Sequence, residues 1–196
     1  MCDLVLQYRT YRSRLVREAV ISLILQLASF APEPFVESHF SDCLEHIIHT
    51  LSMGAARSVA YLALGRLSLV VKQHMKPKLG VVVELLRDGL KLQRGPQPGN
   101  HALEAVSMLA HAMGPDLFPF THTLLDEMSE FGLGPELVDA LAQVSRNVPM
   151  CTLPIQHRLL AAVSATLDVS RKGGLQASAS AANLAAAETK QDPCLY

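Results

Sequence analysis

Apolar residues recur along the chain with the spacing of amphipathic helices, and prolines and glycines separate the segments. One long segment is Ala56–His74, which contains no proline and is long enough for about five helical turns. On a helical wheel its weakly polar positions form one narrow stripe, made of Ser58, Tyr61, Gly65, Ser68 and Lys72. The remaining apolar arc is roughly 200° wide, well beyond the stripe of an ordinary surface helix. The pattern predicts a helix with neighbours on several sides.

The same periodicity predicts helices along most of the chain and no strand. The predicted helices are Met1–Arg9, Ser13–Phe30, Phe35–Met53, Ala56–His74, Pro77–Gln93, His101–Met113, Pro115–Phe131, Pro135–Val148 and Ile155–Ser170, with a loop over Arg94–Asn100. The sequence from Arg171 onwards is small and polar and lacks a sustained apolar face. We therefore predict one helical domain over residues 1–170 and a disordered tail over residues 171–196.

Prolines mark an internal repeat of about 40 residues. They begin alternate predicted helices, at Pro34, Pro77, Pro115 and Pro154. The intervening helices also align, because placing Arg17–Leu27 over Arg57–Leu67 sets arginine on arginine and leucine on leucine. Two helices in about 40 residues is the size of a HEAT or armadillo unit. We predict an all-α, HEAT-type α-solenoid of four to five helical hairpins, with Leu64 and Leu67 in its core.

Four stretches also match a known family in order. They are MCDLVLQYRTYRSRLVREAV (Met1–Val20), RSVAYLALGRLSLVV (Arg57–Val71), SMLAHAMGP (Ser107–Pro115) and IQHRLLAAVS (Ile155–Ser164). Together they resemble the helical-repeat region of target of rapamycin (TOR) kinases, over about residues 1–170. These are large serine/threonine protein kinases whose N-terminal solenoid holds regulatory adaptor subunits and supports dimerisation. The resemblance implies a segment of that solenoid, and therefore a scaffold in growth and nutrient signalling.

The resemblance does not imply that this chain phosphorylates a substrate. The sequence contains no Gly-rich loop, catalytic Asp/Asn pair or Asp-Phe-Gly motif, so ATP and Mg²⁺ would belong to a kinase domain outside this chain. The missing kinase region favours a truncated product or a partial gene model. The expected partners are adaptor subunits of a kinase complex, adjoining repeats and, through open solenoid ends, further copies of the chain. The alternative is a stand-alone HEAT-repeat adaptor unconnected to a kinase.

Charge is balanced overall but unevenly distributed. The net charge of −1 gives no argument for nucleic-acid binding. The first segment is basic, whereas residues 95–145 contain no Lys or Arg and seven acidic residues: Glu104, Asp116, Asp126, Glu127, Glu130, Glu136 and Asp139. Solvated helix faces explain this distribution, and the sharper alternative is a charged docking strip for a protein partner.

Cysteine usage and hydropathy indicate the compartment. The four cysteines are isolated in sequence, and no signal peptide or apolar run of about 20 residues occurs. We therefore expect an intracellular protein without a transmembrane segment. The family resemblance implies the cytoplasm, including peripheral attachment to endomembranes as part of a kinase complex.

One group of side chains has the composition of a metal site. His39, Asp42, His46 and His49 recur at helical spacing, with Cys43 nearby, and zinc accepts all three residue types. A solvated face roughly opposite the apolar residues explains the same pattern, and we favour it. We therefore assign no catalytic, cofactor-binding or metal-binding residue. Two smaller features are interpreted structurally: Gly132–Pro135 as a helix–helix turn, and Arg17 with Arg57 as hydrogen-bonding or ion-pairing residues between repeats.

Overall fold

The computed structural model describes residues 2–8, 11, 13–54, 57–92 and 101–167. Over these ranges the chain is helical, with no strand. The helices are α1 (Cys2–Gln7), α2 (Arg14–Phe30), α3 (Pro32–Ser38), α4 (Phe40–Ser52), α5 (Arg57–Val71), α6 (Leu79–Leu92), α7 (His101–Met113), α8 (Phe118–Ser129), α9 (Pro135–Asn147) and α10 (152–167). The chain divides into two compact units, Met1–Ile155 and Gln156–Tyr196, and the packing below is that of the first.

The first unit is a stack of helical hairpins. Helices α2, α5, α7 and α9 form one row, in which each helix packs on the next. On the other side of that row, α4 packs on α5, α6 packs on α7, and α6 contacts α8. Because consecutive hairpins use equivalent faces, the second helix of each hairpin is covered by the hairpins before and after it. The prediction of an all-α stack of helical hairpins is confirmed.

Equivalent residues of neighbouring hairpins are buried at the same positions. In α2 the buried residues are Val20, Ile21, Ile24 and Ala28, and forty positions on, α5 buries Ala60, Tyr61, Leu64 and Ser68. Leu64 and Leu67 are 1% and 0% exposed, so both belong to the core as the sequence predicts. The repeat read from the sequence is therefore a repeat of packing as well as of helix length.

Two glycines allow helices to approach closely. A Cβ atom added to Gly65 of α5 would lie 3.0 Å from the Cα atom of Ala105 in α7 and 2.9 Å from Sδ of Met108. A Cβ atom added to Gly89 of α6 would overlap the Tyr61 ring, lying 2.6 Å from its Cε1 atom. All of these distances are below ordinary van der Waals contact. Glycine is therefore required here for lack of a side chain, and α5 is packed tightly on two sides.

The weakly polar stripe of α5 is the part of the sequence prediction that the packing reverses. Tyr61, Gly65 and Ser68 are buried, whereas Leu62 and Leu69 on the predicted apolar arc are partly exposed. The Ser68 hydroxyl donates to the Gly65 carbonyl oxygen at 2.6 Å, which satisfies it without water. Small residues are favourable at a close helix–helix contact, so the middle of the stripe faces a neighbouring helix, whereas Ser58 and Lys72 at its ends are exposed.

Several predicted helix boundaries are displaced by short 3₁₀ segments. The predicted helix Ala56–His74 ends at Val71, and Lys72, with φ +46°, begins a 3₁₀ segment over Lys72–Lys78. Pro77 lies inside that segment and α6 begins only at Leu79, because a proline cannot donate to the preceding turn. A second 3₁₀ segment, Gly114–Leu117, likewise delays α8 to Phe118.

The prolines at the end of α2 also act differently from the prediction. Pro32 occupies the first turn of α3, where its missing N–H group costs nothing, so a second helix begins after one intervening residue. The predicted helix Phe35–Met53 is divided at His39 into α3 and α4. The predicted loop Arg94–Asn100 and the predicted tail 171–196 both lie outside the described residues.

The helices are short relative to the thickness of a membrane. Within the described ranges no single helix is long and apolar enough to cross a membrane; only α2 and α3 taken together pass, and they meet at 119°.

Candidate interaction surface

The predicted His/Asp stripe does not lie on one face. His49 and Asp42 are exposed and His39 is partly exposed, but His46 is buried among the core residues of α4 at 6% exposure. The Nδ1 atom of His39 lies 3.6 Å from Oδ1 of Asp3, which connects the α3–α4 junction to α1. The solvated-face interpretation is therefore wrong for His46, whose position in the wheel is covered by neighbouring helices.

The same stripe does not assemble metal ligands. In the part of the chain that the structure describes, no group of three or more His, Cys, Asp or Glu side chains is placed to hold a metal ion. Cys43 is fully buried, and burial, with smaller contributions from nearby Cys2, Asp42 and Asp3, raises the pKa of its thiol to about 12. A thiol in that state is a small core residue rather than a nucleophile or a metal ligand.

Arg17 and Arg57 occupy equivalent positions in α2 and α5. The buried Nε atom of each has no hydrogen-bond partner in the structure, so the predicted hydrogen bonds between repeats are not formed by these atoms. The Arg57 guanidinium instead lies beside Gly54, which has a φ of +73°. Arg57 also lowers the pKa of the Tyr61 hydroxyl, although burial has the larger effect and the net shift is upward.

Polar links between hairpins are made by other residues. The Nζ atom of Lys76 lies 2.8 Å from Oδ1 of Asp116, and these residues are 40 positions apart, one repeat on. Lys91 of α6 lies 3.4 Å from Glu127 of α8 in the same way. The His111 ring nitrogen and the Asn147 side chain, 3.1 Å apart, link α7 to α9. These links connect side chains of neighbouring hairpins at the surface of the stack.

A groove lies between α7 and α9 on the surface of the stack. Its α7 wall is formed by Leu103, Glu104 and Ser107. Its α9 wall is formed by Glu136, Asp139, Ala140 and Gln143. We call these seven residues the α7–α9 groove; its volume is about 260 Å³ and its lining is mostly apolar.

The α7–α9 groove has an apolar floor and an acidic rim. Leu103 and Ala140 are nearly buried, at 3% and 4% exposure, and form the floor. Glu104, Glu136 and Asp139 are exposed around it. The Ser107 hydroxyl donates to the Leu103 carbonyl oxygen at 3.0 Å, so it is satisfied within its own helix. The arrangement suits a cationic side chain with an apolar stem, and it offers no nucleophile and base in contact.

The acidic stretch is visible in the sequence, but the groove is not. The signal was present in the spacing, because Glu136, Asp139 and Gln143 recur at helical intervals on α9 and Glu104 and Ser107 do so on α7. Which face of each helix meets the other, however, depends on the packing of the hairpins.

The Gly132–Pro135 stretch is the turn between α8 and α9. Gly132 has φ +77°, a conformation that favours glycine, and Pro135 begins α9. The prediction of a helix–helix turn is confirmed.

Comparison with known proteins identifies relatives of this sequence. No protein-family model matches the chain. It is 33% identical over 171 residues to the serine/threonine-protein kinase TOR of Oryza sativa subsp. japonica, a match that covers 87% of this chain. It is 32% identical over 170 residues to the serine/threonine-protein kinase TOR of Arabidopsis thaliana. It is 28% identical over 173 residues to the serine/threonine-protein kinase mTor of Drosophila melanogaster, a match that covers 85% of this chain.

The chain is a TOR-like segment. The same relationship extends to the serine/threonine-protein kinase tor1 of Schizosaccharomyces pombe, at 29% identity over 168 residues. In each case the chain spans 7% of the length of the relative it matches. The matched length corresponds closely to that of the helical stack, so the similarity to TOR proteins is carried by the hairpins of this TOR-like segment.

Proposed function

We propose that this TOR-like segment is a scaffold: a HEAT-type stack of a TOR-like serine/threonine protein kinase that presents surfaces to protein partners and has no catalytic residues of its own. The observation that carries the proposal is the match to TOR kinases over 85–87% of the chain. Its apolar side chains pack hairpin against hairpin, and the outer faces of the helices remain available for contacts with partners.

The proposal extends to partners, cofactors and location. The expected partners are regulatory adaptor subunits of a kinase complex and adjoining repeats, rather than nucleic acid. ATP and Mg²⁺ would be bound by a kinase domain outside this chain, in growth and nutrient signalling. The expected location is the cytoplasm, including peripheral attachment to endomembranes as part of the complex.

Self-association is a further part of the proposal. The first hairpin exposes large apolar side chains that a partner would cover: Leu4 is 60% exposed, Leu15 is 75% exposed and Phe30 is 89% exposed. The purified chain should therefore form oligomers at high concentration in light scattering, and Phe30→Glu should shift it towards the monomer. A wild-type chain that stays monomeric at high concentration would contradict this part.

Sequencing the transcript on both sides of the coding region tests the connection to a kinase. An open reading frame that continues into a kinase domain supports the proposal. A mature transcript that encodes only these 196 residues would instead identify a stand-alone HEAT-repeat adaptor and contradict it.

A chimera tests the scaffold role itself. The matched segment of Schizosaccharomyces pombe tor1 is replaced by this chain, and in a parallel strain by a Gly/Ser linker of equal length. We expect the chimera with this chain to accumulate and to retain kinase activity, and the linker chimera to lose both. A matched variant carrying Leu64→Ala and Leu67→Ala should behave like the linker, because both side chains are fully buried. If the linker chimera accumulates and retains kinase activity as well as the chimera with this chain does, the scaffold role is refuted.

A further inference from the structure

We propose that the α7–α9 groove binds a lysine- or arginine-bearing segment of a partner protein. The inference rests on the proposed function, since it assigns one docking surface to the scaffold. Its basis is the combination of an apolar groove with unneutralised negative charge along both edges.

Six of the seven acidic residues of this region fall into two groups, and the seventh, Glu130, is exposed and does not line the groove. Asp116 pairs with Lys76, Glu127 pairs with Lys91, and Asp126 lies 3.0 Å from His122. The three carboxylates of the α7–α9 groove, Glu104, Glu136 and Asp139, form no ion pair with any other described residue. Asp116 and Glu127 are therefore paired with lysines of a neighbouring hairpin, whereas the carboxylates that line the groove have no cationic partner among the described residues.

The charged residues around the groove indicate that its ligand is positively charged. Residues 95–145 contain no Lys or Arg. The nearest cation along α9 is Arg146, whose guanidinium donates to the side-chain oxygen of Gln143 at 3.4 Å rather than to a carboxylate. Three like charges beside one groove raise the local negative potential, which a cation from a partner would relieve.

The size and lining of the groove indicate what carries the cation. A volume of about 260 Å³ lies below the range of about 300–1,000 Å³ typical of small-molecule pockets. Leu103 and Ala140 supply an apolar floor on which the methylene stem of a lysine or arginine packs while its charged end meets the rim. A protein segment that carries lysine or arginine satisfies both features, because the carboxylates of two neighbouring helices surround one apolar floor.

Direct binding to the purified full chain tests the inference. The probe is a fluorescent alanine-based peptide with lysine at every fourth position, and the reference peptide has glutamine at those positions. Binding is measured by fluorescence anisotropy at low ionic strength, where surface charges are least screened. We expect the lysine peptide to bind and the glutamine peptide not to bind. Substituting the rim, with Glu104→Gln, Glu136→Gln and Asp139→Asn together, should weaken binding about tenfold.

A matched control separates the groove from bulk charge. Glu33→Gln, Glu37→Gln and Glu45→Gln together change the net charge equally but lie on α3 and α4, so binding should stay within about twofold of wild type. Ser107→Leu fills the groove without altering charge and should also weaken binding; circular dichroism checks that each variant is folded. Equal effects of the two triple variants, or no binding of the lysine peptide, would overturn the inference. The chimera experiment reports on the scaffold separately, so a retained chimera with no peptide binding refutes the groove alone.

Discussion

Replacing Gly65 by alanine should loosen the stack where α5 packs closely on α7. The added methyl group would meet the Cα atom of Ala105 at 3.0 Å and the Met108 side chain at 2.9 Å. Met108 can move, but the Ala105 backbone belongs to α7, so the two helices must separate by several tenths of an ångström. Overpacking of this kind costs about 1–3 kcal/mol.

The higher helix propensity of alanine opposes this cost, so the net change in the free energy of unfolding is the difference of two effects. Alanine is favoured over glycine in a helix by about 0.5–1 kcal/mol. The net loss of stability expected for Gly65→Ala is therefore about 1 kcal/mol. Gly80 supplies the matched control, because its added Cβ atom would meet only a Phe120 ring atom at 4.0 Å. With no steric term, Gly80→Ala should raise stability by about 0.5 kcal/mol.

Urea denaturation followed by far-ultraviolet circular dichroism measures both variants. The free energies are compared only if the slopes with urea agree, since a change in slope signals a change in cooperativity. We expect the two substitutions to differ in sign and by roughly 1.5 kcal/mol. If Gly65→Ala is as stable as Gly80→Ala, the close approach of α5 and α7 is not real and the reasoning fails.

Three further predictions concern the core, the links between hairpins and the buried thiol. Leu64→Ala or Leu67→Ala should each cost about 2–5 kcal/mol in the same denaturation assay, because both side chains are fully buried; a loss near zero would remove them from the core. Lys76→Ala should cost less than about 1 kcal/mol, and the loss should shrink at high salt, because Lys76 and Asp116 are both solvent-accessible; a large, salt-independent loss would contradict a surface ion pair. Cys43 should resist alkylation in the folded chain and react on unfolding, as followed by mass spectrometry. Because burial raises the pKa of that thiol from 9.0 to about 12, its contribution to stability is present below pH 9 and is lost as the pH rises towards 12.

The candidate surface could be predicted only in part. The absence of Lys and Arg from residues 95–145 is visible in the sequence, where solvated helix faces are the favoured interpretation and a charged docking strip is the alternative. It could not show that Asp116 and Glu127 are used between hairpins while Glu104, Glu136 and Asp139 remain free. That division depends on which side chains from distant positions are brought within a few ångströms.

Polarity proved a poor guide to exposure at two places. His46 and Ser68 were assigned to polar stripes, yet both are buried. A helical wheel ranks faces by side-chain chemistry, whereas burial in a stack depends on how many neighbours a helix has. At Gly65 and Ser68 small size matters more than polarity, because it lets α7 approach α5.

The sequence by itself determined the helical content, the repeat of about 40 residues and the burial of Leu64 and Leu67, because these follow from local periodicity and chain punctuation. The tertiary structure alone decided that the weakly polar stripe of Ala56–His74 is a packing surface, and that α7 and α9 enclose an acidic groove. The physical reason is that periodicity fixes which residues share a helix face, whereas only the packing of neighbouring hairpins fixes what that face meets.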